Sequence, residues 1–426
     1  HPDIAGERGY APWTDMEKII RTKGIPLSPL ESNIPLKDLD ILGFSLQYEL
    51  SYTNVLNMLE LGGIPIYSKD RDEKFPIVIG GGPCAFNPEP VADFFDGFVL
   101  GDGEEVILEI AEEIIKEKAE GRRQKAEVKK RKLLERLAET PGLYVPSLFD
   151  VRYNSDGTVA EIIPLVKGYN RIKKRIVPDL NNCPLPTKPV VPFTKTIHDR
   201  LTVEITRGCT RGCRFCQAGI IYRPSRERSP DNILKILDEG LKNTGYDEVS
   251  LLSLSSGDYS CINELVLNLM GKLYKEKIAL SFPSMRVGTL TPELISEIKR
   301  VRKTGFTLAP EAGTERLRSV INKGISEDAL IEACRNIFEM GWRSIKLYFM
   351  IGLPTETMED IKAIVDLSER VLAAGKGLGF RLEVNVSVST FIPKPHTPFQ
   401  WEQQISISEC KERQEFLRKE LKKKRL

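Results

Sequence analysis

Residues 204–219 read EITRGCTRGCRFCQAG, a loop whose cysteines follow the spacing C-x3-C-x2-C. An apolar run at Thr202–Thr206 comes directly before it, so the thiols follow the carboxyl end of a predicted strand. Gly208 and Gly212 allow the backbone of this loop to turn tightly. The pattern therefore predicts three clustered thiols, contributed by Cys209, Cys213 and Cys216.

These thiols predict a metal centre. Three thiolates from one short loop can bind three irons of a cubane [4Fe–4S] cluster, which leaves the fourth iron open to chemistry. Arg207, Arg211 and Arg214 place positive charge beside an anionic cluster and favour thiolate ligation. Structural zinc is an alternative, but zinc prefers four ligands, and the fourth would have to come from distant His198 or a scattered cysteine. Buried cysteines without a metal are the remaining alternative.

The region after residue 200 alternates regularly between strand-like and helical patterns. The predicted strands are Thr202–Thr206, Glu248–Leu254, Ala279–Pro283, Gly305–Ala309, Ser344–Met350 and Glu383–Val388. The predicted helices between them are Asp231–Lys242, Ile262–Tyr274, Pro292–Val301, Glu327–Met340 and Met358–Ala373. Eight such repeats would close a TIM barrel, whereas these six predict an open, partial (β/α)6 TIM-like barrel over residues 199–400. In this fold, chemistry is expected at the carboxyl ends of the strands.

The residues before the barrel predict a second α/β domain over residues 1–115. Asp40–Leu46 and Phe75–Ile79 are short apolar runs, as buried parallel strands should be, and Ser51–Leu61 between them has helical spacing. Strands alternating with a helix indicate a parallel sheet with crossover connections. We expect residues 116–198 to form a charged helix and a proline-rich linker, and residues 401–426 to form a basic C-terminal helix.

The bulk composition is that of an ordinary globular protein. The 426 residues are 41% apolar and carry a net charge of +2, so no broad basic surface is required and RNA is not a required partner. No apolar run approaches the roughly 20 residues that cross a bilayer, and no export leader is visible. The eight cysteines do not form the framework of a small secreted domain, which favours a reducing cytoplasm. The chain begins with His1, and its first residues start in the middle of a sequence pattern. We therefore expect a fragment that is trimmed at both ends.

The cysteine loop, placed after the first strand of such a barrel, resembles that of the radical S-adenosylmethionine (SAM) superfamily. The resemblance implies that the open iron binds the amino and carboxylate groups of SAM. An electron then cleaves SAM to methionine and a 5′-deoxyadenosyl radical, which abstracts hydrogen from a substrate. It also implies an electron donor similar to flavodoxin or ferredoxin. Phe215 matches the family's aromatic residue that lies against the adenine.

The same resemblance implies further SAM contacts at later strand ends. They are Ser255, Ser256, Gly257 and Asp258 for the amino group, Arg286 for the carboxylate, Glu311 for the ribose or amino group, and Gly352 beside the adenine. Arg286 shares a strand face with Ser284, and a guanidinium suits a planar carboxylate. Each position also has a structural reading: a polar turn for residues 255–258, a surface salt bridge for Arg286, and a loop or capping role for Glu311.

The front domain resembles an incomplete Rossmann-like, cobalamin-binding domain, as in the cobalamin-dependent subclass. The Ser45 loop and the Gly80–Gly82 turn stand where that domain embraces the nucleotide tail. The cobalt-binding Asp-x-His-x-x-Gly motif is absent from this chain, so cobalamin is a cofactor that the sequence neither requires nor excludes.

The expected function is therefore a radical SAM enzyme that modifies, by methylation or another reaction, a substrate that the sequence does not identify. One alternative is a methylthiotransferase acting on tRNA or ribosomal protein, although that family needs a second cluster and only Cys84 precedes residue 183. A non-enzymatic alternative is an RNA-binding or assembly protein with a structural cluster. The basic stretch Arg418–Arg425 favours that alternative.

Overall fold

A computed structural model describes residues 2–120, 126–194, 196–281, 287, 288, 296, 297 and 306–424. The chain divides into two compact units, His1–Val177 and Pro178–Leu426. The finer boundaries expected at residues 115, 198 and 400 stay predictions.

The first unit is built on a small, mostly parallel sheet. Its helices are α1 (Thr14–Lys23), α2 (Tyr52–Leu61), α3 (Val106–Glu120) and α4 (Ala126–Leu137). Its strands are β1 (Ile41–Ser45), β2 (Ile77–Gly81), β3 (Gly97–Val99), β4 (Leu143–Tyr144), β5 (Phe149–Tyr153) and β6 (Val159–Pro164). The sheet order is β1-β2-β3-β4, with β1, β2 and β3 parallel and β4 antiparallel to β3.

Alternate residues of β2 enter two different hydrophobic cores. Val78 packs with Leu59 of α2, whereas Ile77 and Ile79 pack with Ile110 of α3. Successive side chains of a strand point to opposite faces, so both faces of this sheet are covered by helices. This arrangement confirms the predicted α/β front domain.

A β-hairpin occupies part of the segment that the sequence predicted to be an irregular linker. Strands β5 and β6 pair antiparallel, and Asn154 and Thr158 close the connecting turn through a backbone hydrogen bond of 2.8 Å. Gly157 adopts a φ of 83°, which favours glycine. The Asp156-Gly157 pair lies between runs of β-branched and aromatic residues, a pattern that indicates a hairpin turn. The frequent prolines nearby favoured the prediction of a linker instead.

Within its described residues, the second unit has six parallel strands in two three-stranded sheets. One sheet has the order β11-β10-β7, from β7 (Leu201–Glu204), β10 (Glu248–Leu252) and β11 (Ala279–Ser281). The other has the order β12-β13-β14, from β12 (Phe306–Glu311), β13 (Ser344–Ile351) and β14 (Glu383–Thr390). A short antiparallel pair, β8 (Thr206–Arg207) and β9 (Arg226–Glu227), follows β7. The partial barrel is confirmed, and the predicted helix Pro292–Val301 falls almost wholly outside the described residues.

Helices separate the barrel strands. They are α5 (Ala218–Ile221), α6 (Pro230–Thr244), α7 (Ile262–Glu276), α8 (Glu315–Val320), α9 (Glu327–Glu339), α10 (Met358–Ala373) and the C-terminal α11 (Ile407–Lys424). Helix α6 shows how local sequence sets these bounds. Ser229 caps its first turn by accepting from the Asn232 N–H, Pro230 occupies the first helical position, and Gly245 ends it with a φ of 70°. Helix α11 contributes buried Leu417 to the core formed around β13 and α10, so this basic helix is packed on the barrel.

Candidate functional site

The cysteine loop leaves the barrel between β8 and β9. Gly208 has a φ of 95°, and a Cβ atom there would lie 2.7 Å from the carbonyl oxygen of Tyr222. Gly212 has a φ of 73°, which also favours glycine. Both predicted turns are therefore present, and glycine at 208 is required because no side chain fits.

Hydrogen bonds tie this loop to the end of α8. The backbone N–H of Arg214 donates to the Ile321 carbonyl at 3.0 Å, and the Asn322 amide donates to the Gly212 carbonyl at 2.9 Å. Residues that follow β12 and α8 therefore hold the cysteine loop in place.

The three thiols lie partly buried on this loop. The Gly219 N–H points at the Cys216 sulfur at 3.4 Å, and the Arg211 N–H points at the Cys209 sulfur at 3.5 Å. Burial raises the pKa of the Cys216 thiol, the Gly219 N–H lowers it, and the charges of Cys213 and Cys209 raise it. Cys216 therefore lies within electrostatic range of the other two sulfurs.

Three thiolates on one short loop are a donor set that a cubane cluster can use. Within the part of the chain that the structure describes, no three His, Cys, Asp or Glu side chains are placed to surround one metal ion. The cysteines of a cubane bind three different irons, so they need not converge on one point. A structural zinc would require such convergence and a fourth ligand.

The turn after β10 is joined to the cysteine loop by an ion pair. Arg211 Nε donates to Asp258 Oδ2 at 2.7 Å, and a second guanidinium nitrogen contacts Oδ1. Ser256 is fully buried, and its hydroxyl donates to the Leu251 carbonyl and accepts from Ser253. Ser255 and Gly257 are partly exposed in the same turn. The structure therefore brings Asp258 to the thiol loop and places Ser256 inside the turn.

Glu311 lies at the end of β12 with a φ of 70°, a strained value for a residue other than glycine. Its Oε1 accepts from Lys323 Nζ at 3.1 Å, and both side chains are mostly buried. Burial raises the pKa of Glu311, while the charge and the hydrogen bond of Lys323 lower it. Lys323 Nζ also lies 6.0 Å from the ring centre of Phe215.

Lys323 is the site residue that sequence reasoning missed. It follows α8 in a loop where a lysine is unremarkable, and only the folded barrel brings it to Glu311 and Phe215. Phe215 packs beside a hydrophobic cluster that contains Ala312, Leu353 and Phe391. The predicted Phe215, Glu311 and Gly352 positions thus border the same part of the barrel.

The loop after β13 is fixed by the C-terminal helix. Gly352 has a φ of 80°, and a Cβ atom there would lie 2.8 Å from the side chain of Ile405. Glu356 Oε1 accepts from the Gly352 N–H at 2.7 Å and from the guanidinium of Arg413 on α11. Burial raises the pKa of Glu356, which the Gly352 N–H and Arg413 oppose.

The loop after β12 packs directly against helix α10. A Cβ atom on Gly313 would lie 2.5 Å from the Ile364 nitrogen and 2.6 Å from the Asp360 carbonyl oxygen of α10. The Asp360 carboxylate also accepts from Thr314, Arg316 and Thr357. The predicted contact Arg286 lies outside the described residues, as does Ser284.

The carboxyl edge of the front sheet is filled by the protein itself. The Leu46 N–H donates to the Gly81 carbonyl at 2.7 Å, and the Cys84 N–H donates to the Leu46 carbonyl at 3.1 Å. A Cβ atom on Gly80 would lie 2.8 Å from Phe98 and 2.9 Å from Leu46, which is fully buried. Gly80 therefore allows close packing against Leu46 and Phe98, and Gly82 allows it against the Leu46 backbone, whereas a Cβ atom on Gly81 would meet no atom within 4 Å.

Comparison with protein families shows the class to which this barrel and loop belong. The model of N-terminal domains of radical SAM proteins matches residues 1–146, and the radical SAM superfamily model matches residues 203–368. An uncharacterized protein of Methanocaldococcus jannaschii is 33% identical over 401 residues, which cover 92% of this chain and 75% of that protein. The chain belongs to the radical SAM superfamily, as the cysteine loop predicted. It is an enzyme whose cofactors include a [4Fe–4S] cluster and SAM.

Other relatives match this chain over a smaller part of their sequence, and the solved structures with low sequence identity share only its fold. A tRNA-2-methylthio-N(6)-dimethylallyladenosine synthase of Moorella thermoacetica is 28% identical over 177 residues, 40% of each protein. The radical SAM methyltransferase TsrM of Kitasatospora setae, solved with cobalamin and a [4Fe–4S] cluster, gives a TM-score of 0.57 at 14% identity over 91% of this chain and 68% of its own. The cobalamin-dependent radical SAM enzyme OxsB gives 0.53 at 17% identity over 90% and 48%. These folds agree with the predicted subclass. Among the described helices, none is both long and apolar enough to cross a membrane.

Proposed function

We propose that Cys209, Cys213 and Cys216 hold the [4Fe–4S] cluster and that the strand ends beside them bind SAM. The observation that carries this proposal is the set of three partly buried thiols on one loop, whose turns are made by Gly208 and Gly212. When bound, the cluster and SAM supply a 5′-deoxyadenosyl radical that abstracts hydrogen from a substrate.

The residues around the loop have distinct roles in this proposal. Asp258, held by Arg211, provides the carboxylate for the amino group of SAM, with Ser255 and Gly257 beside it. Ser256 shapes that turn from inside, because its hydroxyl is already bonded within it. Glu311 accepts from the ribose or the amino group, and Lys323 orients its carboxylate.

Other elements form the part of the proposed SAM site that would hold the adenine. Phe215 offers an apolar face, and Gly352 lets the backbone approach closely. A guanidinium for the SAM carboxylate is still assigned to Arg286 as a prediction from the sequence. Together these groups would orient SAM and exclude water from it.

The reaction on the substrate is the less defined part. The fold shared with TsrM supports methylation as the outcome, and the match to the tRNA-modifying synthase supports methylthiolation. Methylation is favoured because residues 1–182 of this chain contain one cysteine, whereas a methylthiotransferase needs three for a second cluster. The non-enzymatic alternative is set aside, since the family is one of enzymes.

The described residues of the front unit do not fit cobalamin. Leu46 and Phe98 fill the space beside the glycine turn, and neither described histidine, His198 or His396, belongs to this unit. Reductive cleavage needs an electron donor, and we propose a flavodoxin- or ferredoxin-like protein in a reducing cytoplasm, where the eight free cysteines would stay reduced.

Anaerobic reconstitution tests the assignment of the thiols. With iron, sulfide and dithionite, the protein should gain about four irons per chain and form 5′-deoxyadenosine from SAM. Cys213→Ala should abolish 5′-deoxyadenosine formation, whereas Cys261→Ala, a control at a partly buried cysteine outside the loop, should leave both readouts unchanged. Unchanged turnover in Cys213→Ala would refute the proposal.

A further inference from the structure

Strand β13 has one apolar face against the helices and one polar face inside the barrel. Every second residue from Ile345 to Ile351 is buried in the core shared with α9, α10 and α11. Successive side chains of a strand point to opposite faces, so Lys346 and Tyr348 face away from these helices, into the barrel. Both side chains are exposed there. The barrel interior beside β13 is therefore lined by polar groups that a ligand can reach.

The ammonium of Lys346 has no carboxylate partner among the residues that the structure describes. Its Nζ lies 4.7 Å from the ring centre of Tyr348, which is two residues closer to the carboxyl end of the strand. An aromatic ring attracts a cation and holds it in place, but it does not neutralise the charge. On the neighbouring strand β14, the acidic Glu383 pairs in register with Ser344 and not with Lys346.

Strand β14 adds neutral hydrogen-bonding groups at the same level of the barrel. Asn385 pairs in register with Lys346, and Ser387 pairs with Tyr348, so their side chains lie on the same face of the sheet. The Asn385 amide donates to the Ser344 hydroxyl at 3.0 Å, which orients the amide beside the lysine. An ammonium flanked by an amide and a hydroxyl can bind the oxygens of an anionic group.

The other sheet of the barrel contributes apolar side chains. Val249 and Leu251 of β10 are buried in the core with α6 and α7, so Leu252 between them and the following turn faces the barrel interior. Leu252 is 46% exposed, and Leu254 in the turn is 41% exposed. Apolar side chains that remain exposed inside a concave site are suited to an apolar part of a ligand. Leu254 directly precedes residues 255–258, the turn proposed to bind the amino group of SAM.

We propose that the substrate is a small organic carboxylate. Its carboxylate binds Lys346, and its apolar part lies against Leu252 and Leu254. This inference rests on the proposed function and adds the substrate class. One ammonium balances the single charge of a carboxylate, whereas a phosphate monoester carries roughly two negative charges at neutral pH. The apolar part lies nearer to SAM, so the 5′-deoxyadenosyl radical would take one hydrogen atom from a C–H bond there, which gives 5′-deoxyadenosine and a carbon radical on the substrate.

The depth of the Lys346 ammonium favours a small molecule over RNA. The ammonium lies beside Tyr348, three residues before the end of β13 at Ile351, which places it roughly 10 Å below the rim at about 3.3 Å per residue. A nucleotide that flips into an enzyme pocket keeps its phosphates on the backbone outside. The carboxylate of a small molecule can reach this depth.

A matched pair of probes tests the inference without turnover. The dissociation constants of 4-phenylbutyrate and of its neutral analogue 4-phenylbutyramide are measured by calorimetry on the reconstituted full chain. The parent should bind the carboxylate about fivefold more tightly, because a hydrogen bond to a charged group is stronger than a neutral one. In Lys346→Met this preference should disappear. Lys362→Met, at an exposed lysine of α10, is the matched control and should keep the preference.

A second variant tests the apolar part of the site. Leu252→Asn should weaken the binding of both probes several-fold and leave the preference for the carboxylate unchanged, and thermal unfolding checks that each variant is folded. Equal affinity of the parent for the two probes, no binding of either probe, or an unchanged preference in Lys346→Met would overturn the inference. So would unchanged binding of both probes in Leu252→Asn. A tRNA affinity that falls in Lys346→Met, with probe binding unchanged, would overturn it in favour of RNA.

Formation of 5′-deoxyadenosine separates this inference from the proposed function. If the parent forms none from SAM with dithionite, the proposed function fails, whichever probe binds. If the parent forms 5′-deoxyadenosine but does not distinguish the two probes, the substrate class alone is wrong.

Discussion

At the scale of single residues, the Asp360 carboxylate joins two loops of the barrel. It closes a capping box with Thr357 at the start of α10 and also accepts from Thr314 and Arg316, which follow β12. Its side chain is 2% exposed. Burial alone would raise the pKa of Asp360, but these hydrogen bonds outweigh it and leave the pKa below its ordinary value.

The substitution Asp360→Asn should therefore destabilise the protein by about 2–3 kcal/mol at neutral pH, because it removes charge-assisted bonds in a buried network. A group with a lowered folded-state pKa stabilises the fold fully above its unfolded pKa of about 3.9 and loses that contribution as the pH falls through the folded value. Urea unfolding at neutral and acidic pH measures the effect. Asp366→Asn, an exposed position on the same helix, is the control. An equal loss at both pH values would contradict the role of the charge.

The sequence predicted the site residues that carry chemistry of their own. Cysteines at this spacing and a carboxylate after a strand, such as Glu311, are visible because residue type and position suffice to propose them. Lys323 and Asp360 were not predicted. Their roles depend on neighbours distant in sequence, and a lysine or an aspartate near a helix start is common in any protein.

At the scale of elements, α11 packs on the barrel, and its Leu417 joins the hydrophobic core that contains residues of β13. The ion pair between Glu356 and Arg413 is mostly buried, with side chains 2% and 17% exposed. Glu356 also holds the Gly352 N–H, so the helix fixes the loop assigned to the adenine.

The substitution Arg413→Ala should leave Glu356 buried without its cation and cost about 3 kcal/mol of stability. It should also weaken SAM binding several-fold, because the Gly352 loop loses its anchor, while the iron content stays at the parental value. Thermal unfolding, SAM titration and iron analysis measure these effects. Arg418→Ala on the same helix is the control. SAM affinity equal to that of the parent would show that α11 only stabilises the fold.

The bounds of the barrel elements were predicted closely where the hydrophobic pattern of one element is regular. Helix α10 has the predicted bounds Met358–Ala373, and β13 and β14 differ by no more than two residues from Ser344–Met350 and Glu383–Val388. The hairpin of β5 and β6 and the short strand β4 were missed. Strands β5 and β6 are largely exposed, and β4 is buried but only two residues long, so hydrophobic periodicity was too weak to predict them.

At the scale of the whole molecule, the two units differ in how far they fit the cofactors of the family. The barrel unit presents the thiols and the strand ends that the radical chemistry needs. The front unit has a mostly parallel sheet covered by helices, and Gly80 at its edge packs against Leu46 and Phe98.

This chain, incubated with hydroxocobalamin during reconstitution and then desalted, should therefore retain no cobalamin, because Leu46 and Phe98 pack against the glycine turn that the resemblance assigns to the nucleotide tail. Absorption spectra of the desalted protein and quantification of released cobalt measure retention. Leu46→Ala, which opens space beside this turn, tests the reason and should increase retention if Leu46 is the obstacle. Stoichiometric cobalamin in the parent would show that the front unit rearranges to bind it.

The contact at Gly313 has a mechanical consequence. There is no room for even a methyl group between Gly313 and the first turns of α10. The loop after β12 therefore cannot move without displacing α10, and α10 cannot move without displacing this loop. A ligand that displaces the Glu311 loop must therefore also displace the start of α10, which follows the Gly352 loop. The proposed ribose and adenine contacts of SAM would then open or close together.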